Sequence, residues 1–185
     1  MIKVGIVDDH AIVRSGLKQF FSEQVDLRVV GEAASGREAI DLVRTTEMDV
    51  LVMDLSMPGQ SGIDALGMIR AKAPDVGILI LSGYPEEHYA MNLIRQGASG
   101  YLNKECEPME IVNAIRTIAL GRRYISPAVA ELLAQSGLYA RLGRSVPPVS
   151  HCRPGSYNAR APGSIAGGGP WSGSRDQSIS LFFSA

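Results

Sequence analysis

The first 120 positions of the chain alternate between two patterns of apolar residues. Five short runs are rich in aliphatic side chains, at residues 2–7, 27–30, 50–53, 76–81 and 98–102. Three of these runs consist almost entirely of Val, Ile, Leu or Met, with no polar alternation. Such runs are typical of strands that are buried on both faces of a parallel sheet.

The segments between these runs have the period of a helix. Their apolar residues recur three or four positions apart, as in Val13, Leu17, Phe20 and Phe21, or in Ile111, Val112, Ile115, Ile118 and Ala119. Ser35 followed by Glu38 predicts a capping box, and Pro108 suits the first position of a helix. Five strand–helix units in a row predict a doubly wound α/β fold, a five-stranded parallel sheet with helices on both faces.

The pattern changes near residue 120 and again after residue 135. Residues 121–135 predict a linker helix with Val129, Leu132 and Leu133 on its apolar side. In residues 136–185, 23 of 50 positions are Gly, Pro or Ser, which is too little apolar material for a core. We therefore expect one domain over 1–120, a linker helix over 121–135, and a low-complexity tail over 136–185 that is disordered or non-native in origin.

Charge and cysteine content exclude several classes of protein. Residues 1–135 contain 13 Lys and Arg against 18 Asp and Glu, which is too acidic for a nucleic-acid surface. Cys106 and Cys152 have no metal-ligand or disulfide spacing, which favours a reducing compartment. No apolar run approaches the length of a membrane span, and acidic residues interrupt the N-terminus early. We expect a cytoplasmic, soluble protein with no membrane partner.

Polar residues follow four of the five predicted strands at their carboxyl ends, where sites form in open α/β sheets. Asp8 and Asp9 follow the first strand, Asp54 the third, Ser82 the fourth and Lys104 the fifth. Carboxylates brought together there repel one another by about 4 kcal/mol per pair at 4 Å and an effective dielectric near 20. A cation must offset this repulsion, either the Lys104 ammonium or a divalent ion held by oxygen ligands.

The residue types at this edge indicate phosphoryl chemistry. The three carboxylates suit Mg²⁺ better than zinc, because no His/Cys ligand set accompanies them. Asp54 can act as a nucleophile and form an acyl phosphate, while Lys104 and the Ser82 hydroxyl stabilise charge on the transferring group. No glycine-rich P-loop is present, so we expect the donor to be a phosphorylated protein or a small phosphodonor, not ATP. His10 is expected to turn away from Asp54.

Four motifs in order resemble a two-component response-regulator receiver domain over residues 2 to about 120. They are Val7-Asp8-Asp9-His10, Met53-Asp54-Leu55-Ser56-Met57-Pro58-Gly59 with Gly62, Leu81-Ser82-Gly83, and Gly100-Tyr101-Leu102-Asn103-Lys104. Arg14, Gly16-Leu17 and the run from Gly121 to Pro127 are similar to the NarL/FixJ branch, whose members regulate transcription through a C-terminal helix-turn-helix. The resemblance implies a flavodoxin-like sheet with strand order 2-1-3-4-5.

The resemblance also implies a role for each site residue. Asp54 is then the phosphoacceptor, Asp9, Asp54 and the Ser56 main-chain carbonyl bind Mg²⁺, and Asp8 acts through water. Lys104 binds the phosphate. Ser82 and Tyr101 form a switch pair, in which Tyr101 is expected to rotate from exposed to buried.

The implied partners are a sensor histidine kinase as phosphodonor and a second copy of the chain. The copy would bind through the fourth helix, fifth strand and fifth helix, or through the first and fifth helices. Since Gly or Pro interrupts almost every potential helix after residue 135, we expect no DNA binding by this chain. We also expect no enzyme activity beyond self-phosphorylation and slow self-dephosphorylation.

Three other interpretations stay open. Asp8 or Asp9 could simply cap the following helix. The chain could be a degenerate receiver, which acts as an interaction module without phosphorylation. It could also be a metal-dependent phosphatase or hydrolase, although the short loops after the strands leave little room for a substrate pocket.

Overall fold

A computed structural model describes residues 1–57, 62–126 and 129–131. Strands and helices alternate along this part of the chain: β1 (Ile2–Val7), α1 (Ala11–Ser22), β2 (Leu27–Ala33), α2 (Gly36–Thr45), β3 (Val50–Met53), α3 (Gly62–Lys72), β4 (Gly77–Ser82), α4 (Glu86–Arg95), β5 (Gly100–Asn103) and α5 (Pro108–Ala119). The alternation confirms the five predicted strand–helix units.

The five strands form one parallel sheet in the order β2-β1-β3-β4-β5, which confirms the predicted order. The central strands β1 and β3 pair over their full apolar stretch, from Val4 with Val50 to Val7 with Met53. All carboxyl ends of the strands therefore face the same edge. The residues that follow β1 and β3 lie side by side there, in the crevice where the strand order reverses.

Each face of the sheet has its own core. Buried residues of α1 and α5 pack on one face with strand residues such as Ile6, Val52 and Leu81. Buried residues of α2, α3 and α4 pack on the other face with strand residues such as Leu51 and Ile80. Most residues of β1, β3 and β4 are buried, which is the reason that the sequence of these strands lacks polar alternation.

Strands β1 and β3 have the predicted bounds, whereas the bounds of the other three strands differ from the sequence predictions by one to three residues. Strand β2 continues to Ala33 beyond the predicted end at residue 30, because it pairs with β1 through Gly31 and Glu32 despite their low strand propensity. The predicted helix starts are confirmed. The hydroxyl of Ser35 accepts from the Glu38 N–H at 3.2 Å, and Pro108 occupies the first turn of α5.

The chain continues along the sheet after α5, in a segment that we call the post-α5 segment (residues 121–126 and 129–131). Gly121 has φ +74°, a left-handed conformation that reverses the chain beyond the helix. Tyr124 then forms a parallel bridge with Gly100, and its N–H donates to the Ser99 carbonyl at 2.9 Å. Ile125 and Val129 are buried in the core that contains α4.

Residues 127, 128 and 132–135 of the predicted linker helix and the whole predicted tail, residues 136–185, lie outside the described residues. The division into domain, linker and tail accordingly stays a prediction. None of the helices in the described ranges is long and apolar enough to cross a membrane.

Candidate functional site

The ends of β1, β3 and β5 bring two carboxylates and one ammonium into direct contact. Lys104 Nζ lies 2.7 Å from Asp8 Oδ2 and 2.9 Å from Asp54 Oδ2. Both aspartates are almost fully buried, and the Lys104 side chain is 13% exposed. The contacts join residues 96 and 50 positions apart in the sequence, so the fold alone creates this cluster.

Backbone hydrogen bonds set the positions of the two aspartates. The Asp54 N–H donates to the Val7 carbonyl at 2.9 Å, and the Asp8 N–H donates to the Ala33 carbonyl at 3.2 Å, so each residue extends its strand ladder by one step. Asp54 Oδ1 accepts from the Leu55 N–H at 2.7 Å. One oxygen of Asp54 is thus held by the main chain and the other by Lys104.

The two aspartates determine the charge state of Lys104. Burial acts to lower the pKa of Lys104, but hydrogen bonds and charge from Asp8 and Asp54 outweigh it and raise the pKa above the ordinary lysine value. The ammonium therefore stays charged at neutral pH and supplies the cation that the adjacent carboxylates require.

His10 faces the acidic cluster, so the prediction that it turns away from Asp54 is wrong. Its Nδ1 is 2.9 Å from Asp9 Oδ1 and 3.3 Å from Asp8 Oδ1. Ligand atoms of Asp8, Asp9, His10 and Asp54 all lie within 4.8 Å of one another. The reason is local backbone geometry. His10 is the N-cap residue of α1 and has an extended backbone, and its N–H donates to Asp8 Oδ1 at 2.8 Å. The His10 side chain therefore stays beside Asp8 and Asp9.

The acidic cluster fits a divalent cation. Asp9 Oδ1 is buried and accepts no hydrogen bond from the described residues, although Nδ1 of a protonated His10 would form an ion pair with it. A buried carboxylate oxygen without a donor is costly, and a hard cation is one group that would satisfy it. Asp8 Oδ1 accepts from the His10 N–H, but His10 is itself the N-cap residue and α1 has no side-chain cap hydrogen bond, so neither Asp8 nor Asp9 is the cap residue of this helix.

Ser82 and Tyr101 both contact the loop between β4 and α4. The Ser82 hydroxyl, fully buried, accepts from the Tyr84 N–H at 3.3 Å. The Tyr101 hydroxyl donates to the Tyr84 carbonyl at 2.7 Å. The Lys104 N–H donates to the Ser82 carbonyl at 2.9 Å, which links this loop to the charged cluster.

The Tyr101 ring is 1% exposed, so the predicted exposed starting position is wrong for this structure. The hydroxyl explains the difference, because a carbonyl acceptor lies inside the fold where the ring is buried. Ser56, the remaining predicted residue, lies two residues after Asp54 with an exposed side chain, and the role of its carbonyl stays a prediction.

Sequence reasoning assigned no function to Arg14, although it noted the residue as part of the resemblance. Arg14 Nη1 donates to the Asp8 main-chain carbonyl at 2.6 Å, and Arg14 Nε lies 3.9 Å from Glu32 Oε2. A basic residue one turn into the helix that follows an acidic strand end is the signal that would have found this contact.

Comparison with known proteins gives one consistent family. Residues 4–116 match the family described as the response regulator receiver domain. The response regulator UvrY of Escherichia coli K12 is 40% identical over 136 residues, which are 74% of this chain and 62% of that protein. The match thus spans less than two thirds of the length of this relative.

Solved structures agree. A two-component response regulator of the LuxR family from Aurantimonas sp. SI85-9A1 superposes with a TM-score of 0.69 at 38% identity, covering 75% of this chain and 99% of that one. The isolated REC domain of RcsB from Salmonella enterica serovar Typhimurium, in the presence of phosphomimetic BeF3⁻, gives 0.64 at 25% identity, covering 71% and 97%.

Proposed function

Because this chain belongs to the response regulator receiver domain family, we propose that it accepts a phosphoryl group on Asp54 and so acts as the receiver of a two-component system. The observation that carries the proposal is the contact of Lys104 Nζ with both Asp8 and Asp54 at the carboxyl edge of the sheet. A carboxylate held next to an ammonium that is charged at neutral pH is suited to forming an acyl phosphate, since the cation offsets the charge that the phosphoryl group adds.

The transfer exchanges one bond to phosphorus for another. A carboxylate oxygen of Asp54 forms the new bond, while the bond between phosphorus and the donor breaks and its electron pair leaves with the donor group. Asp54 Oδ1 is held by the Leu55 N–H and Oδ2 by Lys104, so the nucleophile is oriented before the donor arrives. Lys104 then stabilises the negative charge on the phosphoryl oxygens.

We propose that Asp8, Asp9 and Asp54 hold Mg²⁺ together with the main-chain carbonyl of Ser56. When bound, Mg²⁺ neutralises negative charge on the oxygens of the transferring group. Asp9 contributes the buried oxygen that accepts no well-aligned hydrogen bond from the described residues, and Asp8 is the buried carboxylate shared with Lys104.

We also propose the partners that the family suggests. A sensor histidine kinase would supply the phosphoryl group from a phosphorylated imidazole. The output would be control of transcription by the assembled system. We propose no DNA contact by this chain, because Gly or Pro interrupts almost every potential helix in residues 136–185. Self-phosphorylation from small donors and slow loss of the phosphoryl group would be the only chemistry of the domain.

Labelling with a small acyl phosphate tests the proposal. In the presence of Mg²⁺, intact mass spectrometry should show one added phosphoryl group, which hydroxylamine removes because an acyl phosphate is susceptible to it. Asp54→Asn should abolish the label, since the amide cannot attack phosphorus.

Asp49→Asn provides a matched control, because Asp49 precedes the same strand and lies at its opposite end. It should be labelled like the unmodified chain. Label that persists in Asp54→Asn would exclude Asp54 as the acceptor, and an unlabelled wild type would favour the degenerate receiver. Release of phosphate from free phosphate esters would instead indicate the hydrolase.

A further inference from the structure

Arg14 binds the backbone of the site, not its carboxylates. Its guanidinium reaches back from the first turn of α1 and donates from Nη1 to the main-chain carbonyl of Asp8 at 2.6 Å. The Arg14 side chain is 19% exposed, so this contact is shielded from water. A charge-assisted hydrogen bond in such a place is stronger than a neutral one.

The carbonyl that Arg14 binds belongs to the peptide plane between Asp8 and Asp9. The other polar atoms of Asp8 are held separately: its N–H by the Ala33 carbonyl at 3.2 Å, Oδ1 by the His10 N–H at 2.8 Å, and Oδ2 by Lys104 at 2.7 Å. The hydrogen bond from Arg14 to this carbonyl is therefore a further restraint on the Asp8–Asp9 peptide plane, which lies between the two acidic side chains. Rotation of that plane would move Asp9 relative to Asp54.

Glu32 adds a longer charge contact to the guanidinium. Its Oε2 lies 3.9 Å from Arg14 Nε, and its Oε1 accepts from Lys18 Nζ at 2.5 Å. Glu32 lies in β2, so Arg14 spans the ends of β2 and β1 from a position on α1. A planar fork with several fixed donors suits this bridging position better than a single ammonium does.

We propose that Arg14 is a positioning residue for the acidic cluster, which fixes the Asp8–Asp9 peptide plane so that the carboxylates hold a divalent cation and the phosphoryl group together. The proposal rests on the proposed function and adds to it a residue that touches neither the cation nor the phosphoryl group. It assigns the restraint of Asp9, whose Oδ1 accepts no well-aligned hydrogen bond from the described residues, to a side chain on α1.

The positioning role and a purely electrostatic role predict opposite results. If Arg14 acted only as a nearby positive charge, its removal would favour a divalent cation and tighten Mg²⁺ binding. If Arg14 fixes the peptide plane, its removal should weaken Mg²⁺ binding by about tenfold, as loss of an outer-shell partner of a metal site does. The sign of the change separates the two roles.

The experiment compares Arg14→Gln and Arg14→Lys with the unmodified 185-residue chain. Mg²⁺ affinity is measured by calorimetric titration, and the carbonyl ¹³C shift of Asp8 is measured by NMR without metal. Lys18→Gln is the matched control. Lys18 lies one turn further along α1 and also contacts Glu32, but it has no contact with Asp8, so the substitution removes a positive charge without affecting the Asp8 carbonyl.

We expect Arg14→Gln to move the Asp8 carbonyl shift and weaken Mg²⁺ binding about tenfold, while Lys18→Gln changes neither. Arg14→Lys should recover affinity only to the extent that it restores the carbonyl shift. Unchanged or tighter Mg²⁺ binding in Arg14→Gln would overturn the proposal, as would an affinity change without the shift.

Labelling of Asp54 in the same wild-type preparation separates this outcome from failure of the proposed function. If the wild type is labelled and Arg14→Gln binds Mg²⁺ normally, only the role of Arg14 is wrong. If the wild type neither binds Mg²⁺ nor is labelled, the proposed function and the role of Arg14 are both wrong.

Discussion

At the scale of single residues, the site is a set of charged side chains that the fold buries close together, and removing these charges from water costs free energy. Asp8 and Asp54 are buried side by side, and Lys104 between them is the cation that makes this arrangement stable. Removal of one member of such a buried set is expensive, because the remaining charges lose their partner but stay away from water. The consequences differ for the cation and for each carboxylate.

Lys104→Met should destabilise the protein by about 3 kcal/mol at pH 7, because it leaves two buried carboxylates without their cation. The raised pKa of Lys104 means that its stabilising effect is complete below the ordinary lysine pKa and is lost as the pH rises through the folded-state value. Urea unfolding at pH 7 and in alkaline solution measures the effect. The difference in the free energy of unfolding between wild type and Lys104→Met should become smaller at high pH.

Lys18→Met is the control for Lys104, since its ion pair with Glu32 is largely exposed and contributes at most about 1 kcal/mol. Addition of Mg²⁺ should restore part of the stability of Lys104→Met. An equal loss of stability in both variants would contradict the role assigned to Lys104.

Asp9→Asn should weaken Mg²⁺ binding by roughly tenfold or more, because a carboxylate that a cation would satisfy becomes a neutral amide. The same change should leave stability unchanged or raise it, since it relieves repulsion among adjacent carboxylates. Calorimetric titration and urea unfolding measure the two effects. Asp41→Asn, an exposed carboxylate on α2, should change neither, and unaltered Mg²⁺ affinity in Asp9→Asn would remove Asp9 from the ligand set.

At the scale of elements, the parallel sheet followed from the apolar pattern and its strand order from the family resemblance, but several side-chain directions followed from neither. The apolar runs and the residues after them predicted that Asp8, Asp54 and Lys104 would meet. They could not predict the ring of His10 beside Asp9, which depends on the N-cap geometry of α1, or the buried hydroxyl of Tyr101, which depends on the path of the β4–α4 loop. Both depend on local backbone angles, which hydrophobic periodicity does not specify.

The post-α5 segment packs on the sheet beyond the region that matches the family. Ile125 and Val129 are buried in the same core as α4, whereas the preceding Leu120 is 72% exposed. Residues on both sides of the predicted boundary at residue 120 therefore share one core, while the division into domain, linker and tail stays a prediction. Apolar periodicity could not predict this contact, because Gly121 breaks the pattern between α5 and the buried pair.

Ile125→Ala should lower the free energy of unfolding by about 2–4 kcal/mol, the usual cost of removing a buried aliphatic side chain. Leu120→Ala should change it by less than about 0.5 kcal/mol, because that side chain is exposed. Urea unfolding of the two variants tests whether the post-α5 segment unfolds together with the domain. Equal stability of the two variants would show that it does not.

At the scale of the whole molecule, the loop that contacts Ser82 and Tyr101 connects the site to the surface. Tyr84, whose carbonyl accepts from Tyr101, stacks its exposed ring 5.0 Å from that of Tyr89 on α4. A change at the phosphoryl site that moves Ser82 would therefore move an aromatic patch at the surface. Such a two-state surface suits self-association that depends on phosphorylation.

Beryllofluoride with Mg²⁺ should strengthen self-association by about 5- to 150-fold, which corresponds to a coupling of about 1–3 kcal/mol. Sedimentation across the micromolar range measures the change. Ser82→Ala and Tyr101→Ala should remove it while Asp54 is still labelled, because they break the contacts between the site and the loop. Identical mass distributions of wild type with and without beryllofluoride would mean that the chain does not report phosphorylation by self-association.

The bridge between Tyr124 and Gly100 also bears on how the protein behaves at high concentration. An open sheet has two outer strands whose unpaired backbone groups can pair with those of another molecule and start aggregation. The outer strand β2 carries exposed charged side chains, Arg28 and Glu32, that discourage such pairing. Strand β5 is protected differently, because the Tyr124 N–H already occupies the Ser99 carbonyl at its edge. A shortened chain that ends with α5 would leave this part of the β5 edge open to pairing with another molecule.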